Sequence, residues 1–143
     1  MNTTEQLIEV FNDNFVAYYR SHVAHVNITG RNFHSDHKLL QKVYEDLQDQ
    51  IDNIAEMIRT LDEFMPNDLF KVLGDTSVNT DAVEGDADSL LEMVRSDLEQ
   101  LITCTTELME IAEEEGHKEI ANYAQDRILA INKFIWMLRS TLE

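Results

Sequence analysis

The sequence predicts an all-α fold, a bundle of four long helices with a short extra helix in the connection between the second and the third. Three observations carry that prediction. Only four Gly and one Pro occur in 143 residues, too few to punctuate a fold of strands and turns. Apolar residues recur at steps of three and four along four separate stretches, the periodicity of a helix with one buried face. The helix-breaking residues Gly30, Pro66, Gly74, Gly85 and Gly116 fall between or beside those stretches. With 43% apolar residues, the chain is long enough to bury one core, so residues 1–143 are expected to form one domain.

The first helix is expected from about Thr4 to Ile28, where Leu7, Phe11, Phe15, Tyr18 and His22 form its stripe and Gly30 marks its end. The second runs from about Ser35 to Phe64 on Leu40, Val43, Leu47, Ile51, Ile54, Ile58 and Leu61, with Pro66 stopping it. Residues Asn67–Gly85 are the least regular stretch, and Asp68–Leu73 has the apolar side of a short helix. The third long helix spans Ala87–Glu114, with Leu91, Val94, Leu98, Leu101, Thr105, Leu108 and Ala112 on its stripe. The fourth spans His117 to about Leu142 on Ala121, Ala124, Ile128, Ile131, Ile135 and Leu138. Such sustained repeats pack helices at shallow angles. Short turns make antiparallel hairpins of helices one and two and of helices three and four. The long middle connection fits either a crossover along the bundle, as in ferritin-like folds, or an up-down-up-down bundle with a long loop.

Charge excludes one class of function. Eleven Lys and Arg stand against 28 Asp and Glu, for a net charge of −17. Non-specific nucleic-acid binding runs on cations that neutralise phosphates, and no Lys or Arg precedes Arg20. Direct nucleic-acid binding is therefore not expected. Excess acid instead solubilises and attracts cations. One cysteine, Cys104, excludes an intrachain disulfide and reads as a small buried residue. No signal peptide and no apolar run of membrane-spanning length are evident, so no membrane association is expected and the chain reads as cytoplasmic.

The segment from His25 to Leu61 carries the chemistry. It holds His25, His34, His37, Asp52 and Glu56. Asp52 and Glu56 are four apart, hence one turn apart on one helix face beside the apolar stripe. Two carboxylates bordering a core need a cation or a metal. Imidazole with carboxylate suits divalent iron, with zinc or manganese as substitutes. Yet fifteen residues of helix separate His37 from Asp52, a rise of roughly 22 Å that no single ion spans. Either the residues are unrelated, or the site is shared between two chains at a two-fold interface. A ferritin site inside one bundle would need two Glu-x-x-His pairs on different helices. One such string occurs, Glu114 to His117, and Gly116 interrupts it.

His25, Asn27, Gly30, Phe33, His37, Tyr44, Asp52, Ala55 and Glu56 stand here at fixed offsets without a gap, and the end runs Asn132-Lys133-Phe134-Ile135-Trp136-Met137-Leu138. In both respects the chain resembles the Dps family (DNA-protection-during-starvation proteins), the mini-ferritins of the ferritin-like superfamily. The resemblance spans nearly the whole chain. It implies a hollow homo-oligomeric shell, a dodecamer, with ferroxidase sites at two-fold interfaces. His25 and His37 would be metal ligands from one subunit, and Asp52 and Glu56 from its neighbour, with Glu56 bridging two irons. The implied reaction is oxidation of Fe(II) by hydrogen peroxide or O2, with Fe(III) mineral held inside and protection against oxidative damage as the result.

Departures from that pattern bear on efficiency. Val26 stands where the family usually has Trp, so Tyr44 is either a substitute electron donor or a core tyrosine. Gln41 stands where some members carry an additional acid, and Met57 replaces an Arg. Family shells admit iron through acidic three-fold pores: Glu113 fits such a position, while Lys118 and Asn122 fall where acids are common. Glu113 to Glu115 and Glu119 serve iron access or are ordinary helix-end charge. His22 and His34 form His-x-x-His pairs with His25 and His37 and serve either metal or polar packing. Two further readings stand beside the ferroxidase: a metal-binding shell with weak oxidation, and a non-enzymatic bundle that pairs with partner proteins. Solution size separates the last.

Overall fold

The computed structural model describes all 143 residues, Met1–Glu143. It is all-helical, with α1 (Thr3–Asn27), α2 (Phe33–Thr60), α3 (Leu69–Asp75), α4 (Ala87–Glu114) and α5 (Lys118–Leu142). The long helices lie within a residue or two of expectation at seven of their eight ends. The exception is the end of α2, which stops four residues before Phe64. Asp62 adopts φ +64, Asp62 N–H donates to Arg59 O and Glu63 N–H to Ile58 O. That pair of reversed bonds closes a helix through one left-handed residue. Pro66 therefore does not stop α2. The same closure ends α4 at Gly116, φ +82, where Gly116 N–H donates to Glu113 O and His117 N–H to Ala112 O. Asp accepts the left-handed region less readily than Gly, which is why its role was not visible.

Side chains cap three of the five helix starts. Asn2 accepts from Glu5 N–H, Asp68 from Lys71 N–H and Asp86 from Ser89 N–H, each satisfying a donor that the helix leaves free. The apolar stripes meet in one core that includes Leu7, Phe11, Leu40, Leu47, Ile58, Leu98, Leu108, Ile131 and Leu138.

Paired contacts settle the topology. Asn14 Nδ2 donates to Leu47 O, at 2.9 Å, and His25 meets His37, so α1 and α2 are antiparallel. Gln6 reaches Cys104 O and Arg20 reaches Asp97, so α1 and α4 are antiparallel. Tyr123 donates to Gln50 and Arg127 to Asp46, so α2 and α5 are antiparallel. Hence α2 and α4 run the same way, and the connection from Leu61 to Asp86 must return along the bundle. Ala87 accordingly lies beside Gly30 at the α1–α2 turn, 3.8 Å from where a Cβ on Gly30 would stand. The crossover is the observed alternative, the arrangement of ferritin-like bundles.

The returning connection is fastened to α1 by polar groups. The buried Asp13 carboxylate accepts from Thr76 Oγ1 at 2.7 Å, Ser77 N at 2.8 Å and Ser77 Oγ. Arg20, also buried, donates Nε to Asp97 at 2.7 Å and Nη1 to Asp81 O at 2.5 Å. These contacts tie α1, which carries His25, to the connection and to α4.

Candidate metal centre

The turn between α1 and α2 brings His25 and His37 face to face. Their rings stack with centroids 3.8 Å apart and 17° between planes. Each ring braces the other's helix: His25 Nδ1 donates to His37 O, and His37 Nδ1 donates to His25 O, both at 2.7 Å. A carbonyl only accepts, so each Nδ1 must carry the proton. In the neutral rings both Nε2 atoms then keep their lone pairs, the tautomer that metal-binding histidines hold through a carbonyl or carboxylate partner. His25 is only 7% exposed. Burial is the main cause that moves its pKa down, reinforced by the charges of His37 and His22 and opposed by the bond to the His37 carbonyl and by Glu45. The site thus favours the neutral, ligand-ready ring at neutral pH.

Behind this pair sits a second stack. His22 lies on Tyr44, centroids 4.0 Å apart and 9° between planes, and contacts the Tyr18 hydroxyl through Nδ1 at 3.1 Å. Tyr44 is half-buried with its ring centroid 4.9 Å from that of His25, so it borders the histidine pair instead of lying deep in the core. His22 is spent on packing, while His34 is exposed. Gln41, one turn after His37, donates to Glu45 at 2.8 Å.

Asp52 and Glu56 lie farther along α2, and both are exposed, not core-bordering as the sequence suggested. The neighbouring Asp52 carboxylate, first by favouring a protonated partner that can hydrogen-bond to it and then by its charge, pushes the Glu56 pKa above the usual carboxylate range. Neither has a basic partner among the ion pairs of the chain. Like charges one turn apart with no cation between them repel, and a divalent ion would remove that repulsion. The structure therefore joins His25 to His37 and Asp52 to Glu56, and it holds the two pairs apart on the same chain. No group of three or more His, Cys, Asp or Glu side chains in one chain converges as a metal site.

Of the helix-end acids, Glu115 is committed elsewhere. It accepts from Thr3 N at 2.6 Å and Thr3 Oγ1 at 2.5 Å, bonds that draw its pKa down. Glu113 accepts from Gln125, and Glu119 lies 3.7 Å from His117 Nδ1. Lys118 and Asn122 are exposed. Cys104 is buried, and burial pushes its thiol pKa up, which silences it as a nucleophile. Sequence reading missed the reciprocal histidine bonds and the Arg20–Asp97 pair. Only the second left a signal, an Asp between core positions Val94 and Leu98. No helix is long and apolar enough to cross a membrane.

Comparison with known proteins agrees with the fold. Residues 4–143 match the family described as the ferritin-like domain. A DNA protection during starvation protein of Helicobacter pylori is 29% identical over 143 residues, 99% of each chain. Among solved structures, Helicobacter cinaedi CAIP is 31% identical with TM-score 0.91, covering 99% of this chain and 100% of that one. The Dps protein of Vibrio cholerae O1, described as a member of a broad superfamily of ferritin-like diiron-carboxylate proteins, is 25% identical with TM-score 0.93, covering 99% of this chain and 89% of that one. With the crossover bundle, a family match over nearly every residue and these relatives, the chain belongs to the ferritin-like family, among its Dps members.

Proposed function

We propose that residues 1–143 act as one Dps-type domain, a subunit of a cytoplasmic, dodecameric iron-oxidising shell. The observation that carries this reading is the complementarity of two half-sites. His25 and His37 are braced with both Nε2 atoms free, and Asp52 with Glu56 is an anionic pair lacking a cation. A two-fold axis that sets the histidines of one subunit against Asp52 and Glu56 of the partner subunit completes both ends at once.

In this reading Fe(II) is the substrate. His25 and His37 hold it through Nε2, and the partner subunit's Asp52 and Glu56 neutralise its charge, with the Glu56 carboxylate able to span two ions. Two Fe(II) give one electron each to one hydrogen peroxide. Its O–O bond breaks, two protons complete two waters, and two Fe(III) remain, so no hydroxyl radical is released. O2 is the alternative oxidant. The carboxylate surplus draws Fe(II) inward, and Fe(III) mineral collects inside. Protection of other molecules follows from removing the reactants, without contact with DNA: at a net charge of −17, no retarded band is expected in a low-salt gel shift.

The test is optical. Ferrous oxidation is followed with and without peroxide for the wild type and Asp52→Ala. Loss of about 10–100-fold in the variant is expected for a lost ligand, and equal rates would overturn the site. Sizing adds a separate check, since a monomer or dimer in solution contradicts a shell.

The second reading, a shell that holds metal with weak oxidation, rests on Gln41. It occupies the position of an additional acid and donates to Glu45. Measured iron binding with oxidation no faster than in buffer would favour it.

A further inference from the structure

Behind the histidine pair, α1 places Tyr18 and His22 one helical turn apart. Both are half-buried. The Tyr18 hydroxyl meets His22 Nδ1 at 3.1 Å, and that nitrogen is its one hydrogen-bond partner in the chain. The contact takes His22 Nδ1 out of the ligand set and gives the ring a second use. Neutral imidazole accepts through one nitrogen and donates through the other. With the hydroxyl donating, Nδ1 is the acceptor and Nε2 carries the proton. The distance is within reach for a proton to pass from the phenol to the ring.

Adjoining rings connect this pair to the candidate ligands. Tyr44 packs flat on His22, and its centroid lies 6.4 Å from that of Tyr18 and 4.9 Å from that of His25. His22 itself lies 6.1 Å from His25. An electron leaving Tyr18 therefore crosses only neighbouring rings before it reaches His25. A phenol gives up an electron readily only where its proton has an acceptor, because the oxidised phenol is a strong acid. Tyr18 has that acceptor. Tyr44 stacks on the same histidine, but its hydroxyl has no partner in the chain. Trp136, the only Trp, is exposed on α5 and joins none of these stacks. The geometry thus singles out one tyrosine among the aromatic residues near the histidines.

We propose that Tyr18 is an electron donor to the iron site and His22 its proton acceptor, a role that rests on the ferroxidase reading above. It acts when hydrogen peroxide meets a site holding one Fe(II). The ion supplies one electron. Tyr18 supplies the second, and its phenolic proton passes to His22 Nδ1. The O–O bond breaks, and two protons from solvent complete two waters. One Fe(III), one Tyr18 phenoxyl radical and one protonated His22 remain, so the one-electron cleavage that releases hydroxyl radical is bypassed. A second Fe(II), arriving later, returns an electron to the phenoxyl while His22 returns the proton.

The test uses the assembled protein, loaded anaerobically with less than one Fe(II) per site, mixed with hydrogen peroxide and freeze-quenched for electron paramagnetic resonance. A tyrosyl signal is expected in the wild type, narrowed when the protein is made with ring-deuterated tyrosine. Tyr18→Phe is expected to lose the signal. His22→Phe keeps a ring against Tyr44 but offers no acceptor, and is expected to lose most of it. Hydroxyl radical caught by a spin trap is expected to rise severalfold in both variants. With the sites filled by Fe(II) before peroxide, the wild-type signal is expected to vanish, since both electrons then come from iron. Iron oxidised without a tyrosyl signal overturns the proposal and leaves the ferroxidase reading standing. A signal that survives in Tyr18→Phe, or is undiminished in His22→Phe, overturns it as well. Should one variant fail to assemble, the other decides. A wild type that oxidises no iron removes the ferroxidase reading, and this proposal with it.

Discussion

The two candidate ligand pairs of this chain are held in opposite ways. At the start of α2, His37 is stacked on His25, and each ring bonds to the other's backbone. Farther along the same helix, Asp52 and Glu56 stand in solvent without a basic partner. The histidines have every partner they need except the ligand. The carboxylates have no partner except a like charge. The fold therefore builds the orienting half of the proposed site and leaves the charge-neutralising half to assembly. Under the proposed function, activity is therefore a property of the interface and not of the single chain.

The largest expected effect is a complementation. A variant carrying His25→Ala and His37→Ala, and one carrying Asp52→Ala and Glu56→Ala, should each be inactive in ferrous oxidation. Co-refolded at equal ratio, they should recover about a quarter of wild-type activity. Half of the randomly formed pairs are mixed, and each mixed pair restores one of its two sites. If the mixture stays at background although both variants co-assemble, the sites are not shared.

Stability separates the two kinds of acidic group. Asp97 is buried, its pKa raised by burial and held back by Arg20. Removing the cation with Arg20→Met strands that charge and also frees Asp81 O. A loss of about 3–5 kcal/mol is expected for such a broken buried pair. Asp52→Asn, at an exposed position without a cation, should stay within about 0.5 kcal/mol. Chemical unfolding at one protein concentration compares them, since assembly shifts apparent stability. A large loss in Asp52→Asn would show that its partner is inside the chain after all.

A finer distinction lies within the histidine pair. The amide nitrogen of Asn can stand where His Nδ1 stands. His37→Asn should therefore keep the bond to the His25 carbonyl and lose no more than about 1 kcal/mol, while His37→Ala loses about 1 kcal/mol more by stranding that acceptor. Neither should oxidise iron. Parallel loss of stability and activity in both variants would mean that the ring acts through packing alone.

How much of this could be read in the sequence divides along the same line. Helix spans and core stripes were legible because Leu40, Val43, Leu47, Ile54 and Ile58 repeat a local period that burial confirms. The separation of His37 from Asp52 was legible as helix rise alone. The crossover was legible only as one of two alternatives, because its proof lies in contacts such as Ala87 beside Gly30. The end of α2 was misread because Pro66 is a visible breaker and Asp62 is not, though Asp62 takes the left-handed turn. The reciprocal bonds of His25 and His37 leave no trace in residue spacing, since they depend on how two helices approach at a turn.

The smallest expected effect concerns an acid that is crowded yet not orphaned. Glu9 is half-buried on α1, and its pKa is raised by burial first, then by Asp13 and Asp75, against the pull of Lys71. A carboxyl with a raised folded pKa holds its proton more tightly when folded. Its favourable contribution is complete below the unfolded pKa and is lost as pH rises through the folded one. Glu9→Gln removes that dependence. The variant should match the wild type near pH 4 and become more stable relative to it by pH 7. Solvent screening at this site keeps the gap within about 0.5 kcal/mol. Glu56→Gln should show the same sign, because its raised pKa has the same consequence. The two then part on adding Fe(II). Iron should stabilise wild type and Glu9→Gln alike but stabilise Glu56→Gln less, for only at Glu56 does the metal replace the missing cation. Thermal unfolding across pH, with and without Fe(II) under anaerobic conditions, reads both differences, and equal iron stabilisation of all three proteins would remove Glu56 from the site.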